Sequence, residues 1–349
     1  MVDKELLYGT LKKYFGYDSF REGQEELITN TLQGKDVLGI MPTSGGKSLC
    51  YQLPALLLDG MTIVVSPLVS LMKDQVDSLR EMGIAAAYLN STLSREEFLQ
   101  LMDDMRSGQL KLLYIAPERI DNESFMNALR FVNVPLLVVD EAHCISQWGS
   151  DFRPSYQGVA RLYDVFGRRP RVAAFTATAT EPVQDDIMIQ LRLQQPFRLV
   201  TGFDRSNLAF SVEKPADKFK FLVKDLNPKE ASIIYCSTRK NVESVQKKLE
   251  QKGFAVTLYH AGLPEHERQR NQDDFLFDRK PIMVATNAFG MGIDKSNVRT
   301  VYHYNMPKNI ESYYQEAGRA GRDGEEARVI LLFSTQDIIN QSVAEQQDE

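Results

Sequence analysis

Short apolar runs alternate with helix-like stretches along most of the 349-residue chain, and this alternation limits the fold more than any other feature. The runs are rich in Val, Ile and Leu and are apolar almost throughout, which is typical of strands covered on both faces of a sheet. Strands that alternate with helices predict parallel sheets joined by right-handed crossovers. The predicted strands are 36–41, 62–66, 112–116, 136–140 and 172–175, then 232–236, 256–259, 282–285, 300–304 and 329–333.

This pattern runs through the chain twice, which predicts two α/β domains. We place the first domain at 1–199 and the second at 200–340, with a disordered acidic tail at 341–349. Residues 200–230 are more polar and are expected to hold the linker and an entry strand. Local signals predict two helices: a capping box formed by Ser94 and Glu97, and apolar residues at helical spacing. The spaced residues are Val242, Val245 and Leu249.

Composition excludes several classes of protein. The chain is 43% hydrophobic and 25% charged, which is ordinary for a globular protein. No apolar run approaches the about 18 residues of a membrane span, and the first residues do not resemble a signal peptide, so we expect no membrane association. The three cysteines form no CxxC pair, so we expect a reduced, cytoplasmic protein with neither zinc nor disulfides.

Net charge gives a weaker constraint. The formal charge is −6, which disfavours binding to nucleic acid through bulk charge alone. The charge is uneven, however, because residues 201–330 carry 21 Lys and Arg against 18 Asp and Glu. A local basic groove in the second half therefore remains compatible with the sequence.

The segment 41–48, MPTSGGKS, follows the first predicted strand and precedes a helix, which is the context of a phosphate-binding loop. Its glycines let backbone N–H groups approach phosphates at the positive end of the helix. Lys47 would reach the β- and γ-phosphates of a nucleotide, and the hydroxyl of Ser48 would bind Mg²⁺. The alternative is a Gly-rich turn that matches by chance, since Met41 replaces the usual leading Gly. The predicted phosphate-loop residues are Thr43, Ser44, Gly45, Gly46, Lys47 and Ser48.

A second half-site follows the strand 136–140, which ends in Asp140 and Glu141. Parallel sheets bind ligands at the carboxyl ends of their strands. Asp140 would hold Mg²⁺, and Glu141 would orient or deprotonate the attacking water. Two acids after a strand are commonplace by themselves, but together with the loop they predict a nucleotide site. His143 either links this strand to a neighbouring motif or has a purely structural role.

Three further stretches are diagnostic. They are 15–24, which contains FGY and FREGQ; 144–156, CISQWGSDFRPSY; and 315–324, QEAGRAGRDG. With the phosphate loop and the DEAH sequence at 140–143, they resemble the RecQ family of superfamily 2 DNA helicases over nearly the whole chain. The resemblance implies two tandem RecA-like domains, each a mostly parallel sheet with helices on both faces, which bind ATP and Mg²⁺ in the cleft between them.

The first stretch resembles the adenine-recognition motif of that family. The amide of Gln24 offers the donor and acceptor that the edge of adenine needs, and Tyr17 and Arg21 can stack on the base. From spacing alone, these residues could equally form the start of a helix. The resemblance assigns all three to adenine and makes Asp294, in the stretch FGMGID, a possible ribose contact.

The second stretch resembles the aromatic-rich loop of the family, which couples DNA sensing to hydrolysis. Trp148, Phe152, Arg153 and Tyr156 would form an exposed cluster that stacks on bases and contacts phosphate. The alternative is an aromatic plug in the core. Weaker similarities add other DNA contacts, each of which could instead be an ordinary loop residue. These are Ser66, Arg119, Ser237 and Thr286.

The third stretch resembles motif six of the family. Arg319 and Arg322 are three residues apart, which predicts one helical face, and Gln315 lies four residues before Arg319. A solvated helix face is the alternative interpretation. The resemblance makes Arg322 the main arginine finger, with Arg319 assisting and Gln315 near the attacking water, and such fingers contribute roughly 10³–10⁵ in rate.

The resemblance thus implies a DNA-stimulated ATPase that moves 3′ to 5′ on single-stranded DNA and unwinds tailed or forked duplexes, in DNA repair, recombination and the SOS response. We expect a monomer in the bacterial cytoplasm or nucleoid. Two alternatives stay open. One is an ATP-gated DNA clamp or annealing module, because the four-cysteine zinc subdomain and winged helix usual in RecQ proteins are not in this sequence. The other is an RNA helicase.

Overall fold

The computed structural model describes residues 2–42, 46–67, 69–89, 93–149, 151–202, 205–287, 289, 295–335 and 337. The chain divides into two compact units, Met1–Phe203 and Asp204–Glu349. The domain boundary expected at 199–200 thus falls near the end of unit 1, and the expected tail at 341–349 lies outside the described residues. No helix in the described ranges has the length and apolar character needed to cross a membrane.

Unit 1 is built on a sheet of seven parallel strands in the order β3-β4-β2-β5-β6-β1-β7. Along β5, Leu137 and Val139 pack in one hydrophobic cluster, whereas Leu136 and Val138 pack in another. Alternate residues therefore enter separate cores, so helices cover both faces of the sheet. The strands are β1 (Val37–Ile40), β2 (Thr62–Val65), β3 (Ala86–Leu89), β4 (Leu112–Ile115), β5 (Leu136–Val139), β6 (Arg171–Thr176) and β7 (Phe197–Val200).

Two helices of unit 1 precede its first strand, and the others lie between successive strands. The predicted capping box is confirmed at Ser94, whose hydroxyl accepts from the N–H of Glu97 while the Glu97 carboxylate accepts from the N–H of Ser94. The α-helices are α1 (Lys4–Thr10), α2 (Gln24–Leu32), α3 (Leu49–Leu57), α4 (Val69–Glu81), α5 (Arg95–Arg106), α6 (Glu123–Leu129) and α7 (Glu181–Gln190). A π-helical turn spans Leu11–Phe15, and 3-10 helices span Pro117–Asp121, Ala142–Ile145 and Pro154–Asp164.

Unit 2 repeats this architecture with six parallel strands in the order β10-β11-β9-β12-β13-β8. The apolar residues predicted to share one face of a helix, Val242, Val245 and Leu249, are buried on α9. The strands are β8 (Leu208–Glu213), β9 (Ser232–Tyr235), β10 (Val256–Tyr259), β11 (Ile282–Ala285), β12 (Thr300–His303) and β13 (Ala327–Leu332). The helices are α8 (Lys218–Asp225), α9 (Arg239–Gln251), α10 (Glu265–Leu276) and α11 (Ile310–Ala317).

The predicted fold class is confirmed: both units are parallel α/β sheets with helices on both faces, as in tandem RecA-like domains. Strand prediction was incomplete, because β3 and β7 were not predicted. The entry strand expected within 200–230 is β8. All three strands lie at edges of their sheets.

Candidate functional site

The candidate nucleotide site of unit 1 lies at the carboxyl ends of three neighbouring strands. β6 lies between β5 and β1 in the sheet, so the segments that follow these strands meet at one edge. The phosphate loop follows β1, Asp140 and Glu141 follow β5, and β6 ends at Thr176. Parallel sheets place their ligands at such an edge because the strand ends open into loops there.

The described part of the phosphate loop leads directly into a helix. Gly46 has a φ of +70°, and a Cβ there would lie 2.4 Å from Nε2 of Gln24, so the position requires glycine. Ser48 is the N-cap residue of α3. Thr43, Ser44 and Gly45 lie outside the described residues.

Lys47 faces the acids of the second half-site. Its side chain is buried, and its Nζ lies 3.6 Å from Oε1 of Glu141. Within the described ranges, Nζ makes no hydrogen bond. A buried ammonium without a hydrogen-bond acceptor carries a desolvation cost that an anionic ligand would offset.

The two acids form a crowded buried pair. Asp140 is buried, and its Oδ1 accepts the N–H of Glu141 at 3.0 Å. Burial, and then the charge of Glu141, raises the pKa of Asp140 to about 6, while Lys47 acts in the opposite direction. Glu141 adopts φ 48° and ψ 47°, a left-handed conformation that costs a non-glycine residue about 1–3 kcal/mol. Two acids beside one ammonium leave excess negative charge, which fits a site for Mg²⁺.

His143 connects these acids to the end of β6. Its Nδ1 lies 2.8 Å from Oγ1 of Thr176 and 3.4 Å from Oε2 of Glu141. Burial lowers the pKa of His143, so the ring is neutral at neutral pH. Thr176 in turn donates to the carbonyl of Thr178 at 3.1 Å. These contacts join the segment after β5 to the end of β6, and they fit both roles considered from the sequence.

The candidate adenine residues lie beside the phosphate loop. Gln24 is buried at the start of α2, where its Oε1 accepts the N–H of Arg21 at 2.8 Å and its Nε2 donates to the carbonyl of Gly46 at 3.1 Å. Tyr17 and Arg21 are exposed. The amide of Gln24 is therefore bound to the protein backbone here. Adenine could pair with this amide only by replacing these backbone hydrogen bonds.

The loop that follows the acids exposes its tryptophan. Trp148 is 78% exposed, so it does not plug the core. The loop is closed by the N–H of Arg153, which donates to the carbonyl of Cys144 at 2.8 Å. Glycine is needed at position 149, because a Cβ there would lie only 2.6 Å from the carbonyl oxygen of His143. The backbone thus holds Trp148 outward, directly after the acids.

The other residues expected in the exposed aromatic cluster are buried or half-buried. Tyr156 is fully buried, and its hydroxyl donates to the carbonyl of Asp140 at 2.9 Å, so its predicted exposure is wrong. Its helical spacing with Val159 and Leu162 was the signal for burial. Phe152 and Arg153 are half-buried.

Arg153 holds the aromatic loop against a neighbouring loop. Its guanidinium donates to the carboxylate of Asp151 at 3.0 and 3.1 Å and to the carbonyl of Pro67 at 3.2 Å. Ser66, just before Pro67, is buried, and its N–H donates to the carbonyl of Ile115. The contacts of Arg153 thus join the aromatic loop to the segment after β2, a role the sequence did not predict.

The remaining candidates for DNA contact lie in loops after strands. Arg119 is half-buried in the 3-10 helix that follows β4. In unit 2, Ser237 is exposed and its N–H donates to Oδ1 of Asn305 at 3.2 Å. Thr286 is half-buried just after β11. Asp294 lies outside the described residues.

The two candidate arginine fingers are not on a helix, contrary to the prediction of one helical face. α11 ends at Ala317, and the turns that follow it carry Arg319 and Arg322. The left-handed conformation of Gly321, with φ +56°, turns the chain between them. Arg319 is 6% exposed and Arg322 is half-buried, and both line a small cavity in unit 2. Gln315 remains half-buried on α11.

The two units match two protein families in turn. Residues 21–186 match the DEAD/DEAH box helicase family, and residues 217–324 match the helicase conserved C-terminal domain. The fold is similar to that of S. cerevisiae Dbp5 bound to RNA and ADP BeF3, with a TM-score of 0.74, 19% identity, and coverage of 98% of this chain and 90% of that one.

Two relatives from Bacillus subtilis are much more similar in sequence. The ATP-dependent DNA helicase RecQ is 49% identical over 342 residues, which cover 97% of this chain and 58% of the relative. The probable ATP-dependent DNA helicase RecS is 41% identical over 338 residues, which cover 95% of this chain and 68% of the relative. The chain spans little more than half the length of the RecQ relatives that it matches. With the phosphate loop, the paired acids and the exposed tryptophan in one molecule, these identities show that the chain belongs to the RecQ family.

Proposed function

We propose that the chain is the motor of an ATP-dependent DNA helicase, which couples ATP hydrolysis to 3′–5′ movement on single-stranded DNA and to unwinding. The observation that carries this proposal is the buried Nζ of Lys47, 3.6 Å from Glu141 at the carboxyl edge of the sheet. The high identity to DNA helicases of the RecQ family supports DNA as the track.

In the proposed reaction, unit 1 binds the triphosphate and its metal. Lys47 contacts the β- and γ-phosphates, together with the backbone of Thr43, Ser44, Gly45 and Gly46. Ser48 and Asp140 would hold Mg²⁺, which would supply positive charge beside the phosphates. Glu141 orients the attacking water and accepts its proton, and the ring of His143 lies beside it, with Nδ1 3.4 Å from Oε2 of Glu141.

Other residues recognise the nucleoside and promote turnover. Tyr17, Arg21 and Gln24 bind adenine, and Asp294 contacts the ribose. From unit 2, Arg322 stabilises the charge on the transferring phosphoryl group, Arg319 assists, and Gln315 acts near the water. Hydrolysis then depends on groups from both units.

The proposed DNA track uses stacking and backbone contacts. Trp148 is the main stacking residue because it is exposed just after the catalytic acids. The further DNA contacts are Ser66, Arg119, Phe152, Arg153, Ser237 and Thr286. The substrates would be single-stranded DNA and tailed or forked duplexes. We place the protein, as a monomer, in DNA repair, recombination and the SOS response in the bacterial cytoplasm or nucleoid.

ATP turnover with and without single-stranded DNA tests this proposal, followed by strand release from duplexes with a 3′ or a 5′ tail. We expect DNA to stimulate turnover more than RNA does, and release to require the 3′ tail. Stimulation without release from either duplex would favour the clamp, whereas stronger stimulation by RNA would favour the RNA helicase. Turnover that DNA leaves unchanged would contradict the motor.

A further inference from the structure

The loop that carries Arg319 and Arg322 has no regular secondary structure of its own. It joins α11 to β13 through turns at residues 318–323. Its geometry depends on Gly321, where a Cβ would lie 2.5 Å from Nδ2 of Asn207 and 2.8 Å from the carbonyl of Glu325. Contacts from elsewhere in unit 2 must therefore define the positions of the two arginines.

Arg205 supplies the most direct of these contacts. Its Nη2 donates to the carbonyl of Ala320 at 3.0 Å and to the carbonyl of Gly321 at 2.6 Å. These two carbonyls belong to the residues that separate Arg319 from Arg322. A guanidinium fits this task because its planar donors bind more than one acceptor in a fixed geometry.

Asn207 adds further hydrogen bonds to the same loop. Its Oδ1 accepts from Nε of Arg205 at 3.2 Å, and its Nδ2 donates to the carbonyls of Gly321 at 2.9 Å and Glu325 at 2.8 Å. The segment at 205–207, which opens unit 2, thus holds the middle and the end of the loop. On the distal side, Arg299 donates to both oxygens of Asp323 at 2.5 and 2.6 Å, beyond the two arginines.

We propose that Arg205 is a positioning residue for the arginine fingers, which sets the rate of hydrolysis without contacting the nucleotide. This proposal rests on the proposed function of Arg319 and Arg322. Arg205 orders the backbone between the fingers before the reaction, so less ordering remains for the transition state. Its loss should therefore lower kcat and leave the binding of ATP and DNA unchanged.

The test uses the full chain with Arg205→Gln, Arg205→Lys and a matched control, Arg80→Gln. Arg80 also donates to a backbone carbonyl, that of Ala86 at 2.9 Å, but in unit 1. We expect Arg205→Gln to lower kcat roughly 10- to 100-fold, the scale of a misplaced group. KM for ATP and DNA affinity should stay within about twofold. Lysine keeps the charge and a donor, so Arg205→Lys should recover part of kcat, and Arg80→Gln should match wild type.

A second comparison separates positioning from general stabilisation. If Arg205 acts through the fingers, Arg205→Gln should cause little further loss in an Arg322→Ala background, because coupled residues are not additive. Hydrogen exchange gives a readout independent of turnover, and amides within 318–326 should exchange faster in Arg205→Gln than in Arg80→Gln. Should Arg205→Gln unfold, the same comparisons are made with Arg205→Lys.

Two results would overturn this inference while leaving the proposed function standing. These are a normal kcat in Arg205→Gln, whether or not its KM is raised, and a fold-loss of kcat that is equal in the wild-type and Arg322→Ala backgrounds. An Arg322→Ala variant as active as wild type would instead overturn the proposed role of the fingers, and this inference with it.

Discussion

The phosphate-binding site of unit 1 and the arginine loop of unit 2 are built in different ways. In unit 1, Asp140 directly follows β5, Thr176 ends β6, and Lys47 lies just before α3; Nδ1 of His143 lies 2.8 Å from Oγ1 of Thr176. In unit 2, Arg319 and Arg322 lie in turns that side-chain contacts from Arg205 hold in place. The first site is therefore built from strand ends, whereas the arginine loop is held by side-chain hydrogen bonds and by Ala320, which is buried in the hydrophobic core of unit 2.

Lys47→Ala should have the largest effect, because it removes the ammonium that faces the acids and the proposed phosphates. We expect ATP turnover to fall to background, with or without single-stranded DNA. Turnover is measured by phosphate release from the full chain, after thermal unfolding has shown that the variant is folded. Substantial remaining turnover would show that the loop at 41–48 is not the phosphate site.

Arg322→Ala should reduce turnover by at least about 10³-fold, the lower range for an arginine finger. The variant should keep its fold, because Arg322 is half-buried in a loop rather than part of a strand. Steady-state phosphate release at saturating ATP and DNA gives this value. A loss below tenfold would mean that Arg319 or another group carries the main role.

Trp148→Ala should weaken DNA binding roughly tenfold and reduce DNA stimulation, because one stacked base contributes about 1–3 kcal/mol. Nucleotide binding and the turnover without DNA should not change. The matched control is Phe131→Ala, which removes another exposed aromatic side chain from unit 1, 80% exposed, and should have no effect. Equal stimulation in Trp148→Ala and wild type would remove Trp148 from the DNA track.

Asp140→Asn removes a proposed Mg²⁺ ligand, so activity should be lost, but its effect on stability should be small and favourable, giving a more stable protein. The pKa of Asp140, raised to about 6, means that the folded state binds this proton more tightly than the unfolded chain does. Its carboxylate is therefore destabilising above pH 6, and the penalty fades as pH falls toward the unfolded pKa of about 3.9. We expect Tm to rise by a few degrees at pH 7.5 and by less at pH 5. A lower Tm at pH 7.5 would contradict this.

The sequence predicted the central strands and the edge strand β10, but it missed β3 and β7 and located β8 only within 200–230, for a physical reason. Central strands such as β5 are buried on both faces and read as continuous apolar runs. At the edges, β7 and β8 expose part of their residues and β3 begins with two alanines, so none of them stands out as a strand.

The candidate site was partly predictable for a similar reason. Lys47, Asp140 and Glu141 were found because a strand end fixes where the next residues lie. The positions of Tyr156 and Arg319 depend on contacts with residues distant in sequence, which spacing does not report. No sequence pattern indicated a role for Arg205, because the carbonyls that it binds lie more than a hundred residues later in the chain.

Equilibrium titration of a fluorescent ATP analogue into the full chain tests most directly the difference between the phosphate site of unit 1, which binds the nucleotide, and the arginine loop of unit 2, which promotes turnover. The account predicts that Lys47→Ala weakens nucleotide affinity at least about tenfold, because the sheet of unit 1 holds the phosphate-binding groups. It predicts that Arg322→Ala keeps affinity within about threefold of wild type although its turnover is lost. Equal losses of affinity in the two variants, with turnover per bound ATP preserved in Arg322→Ala, would contradict it.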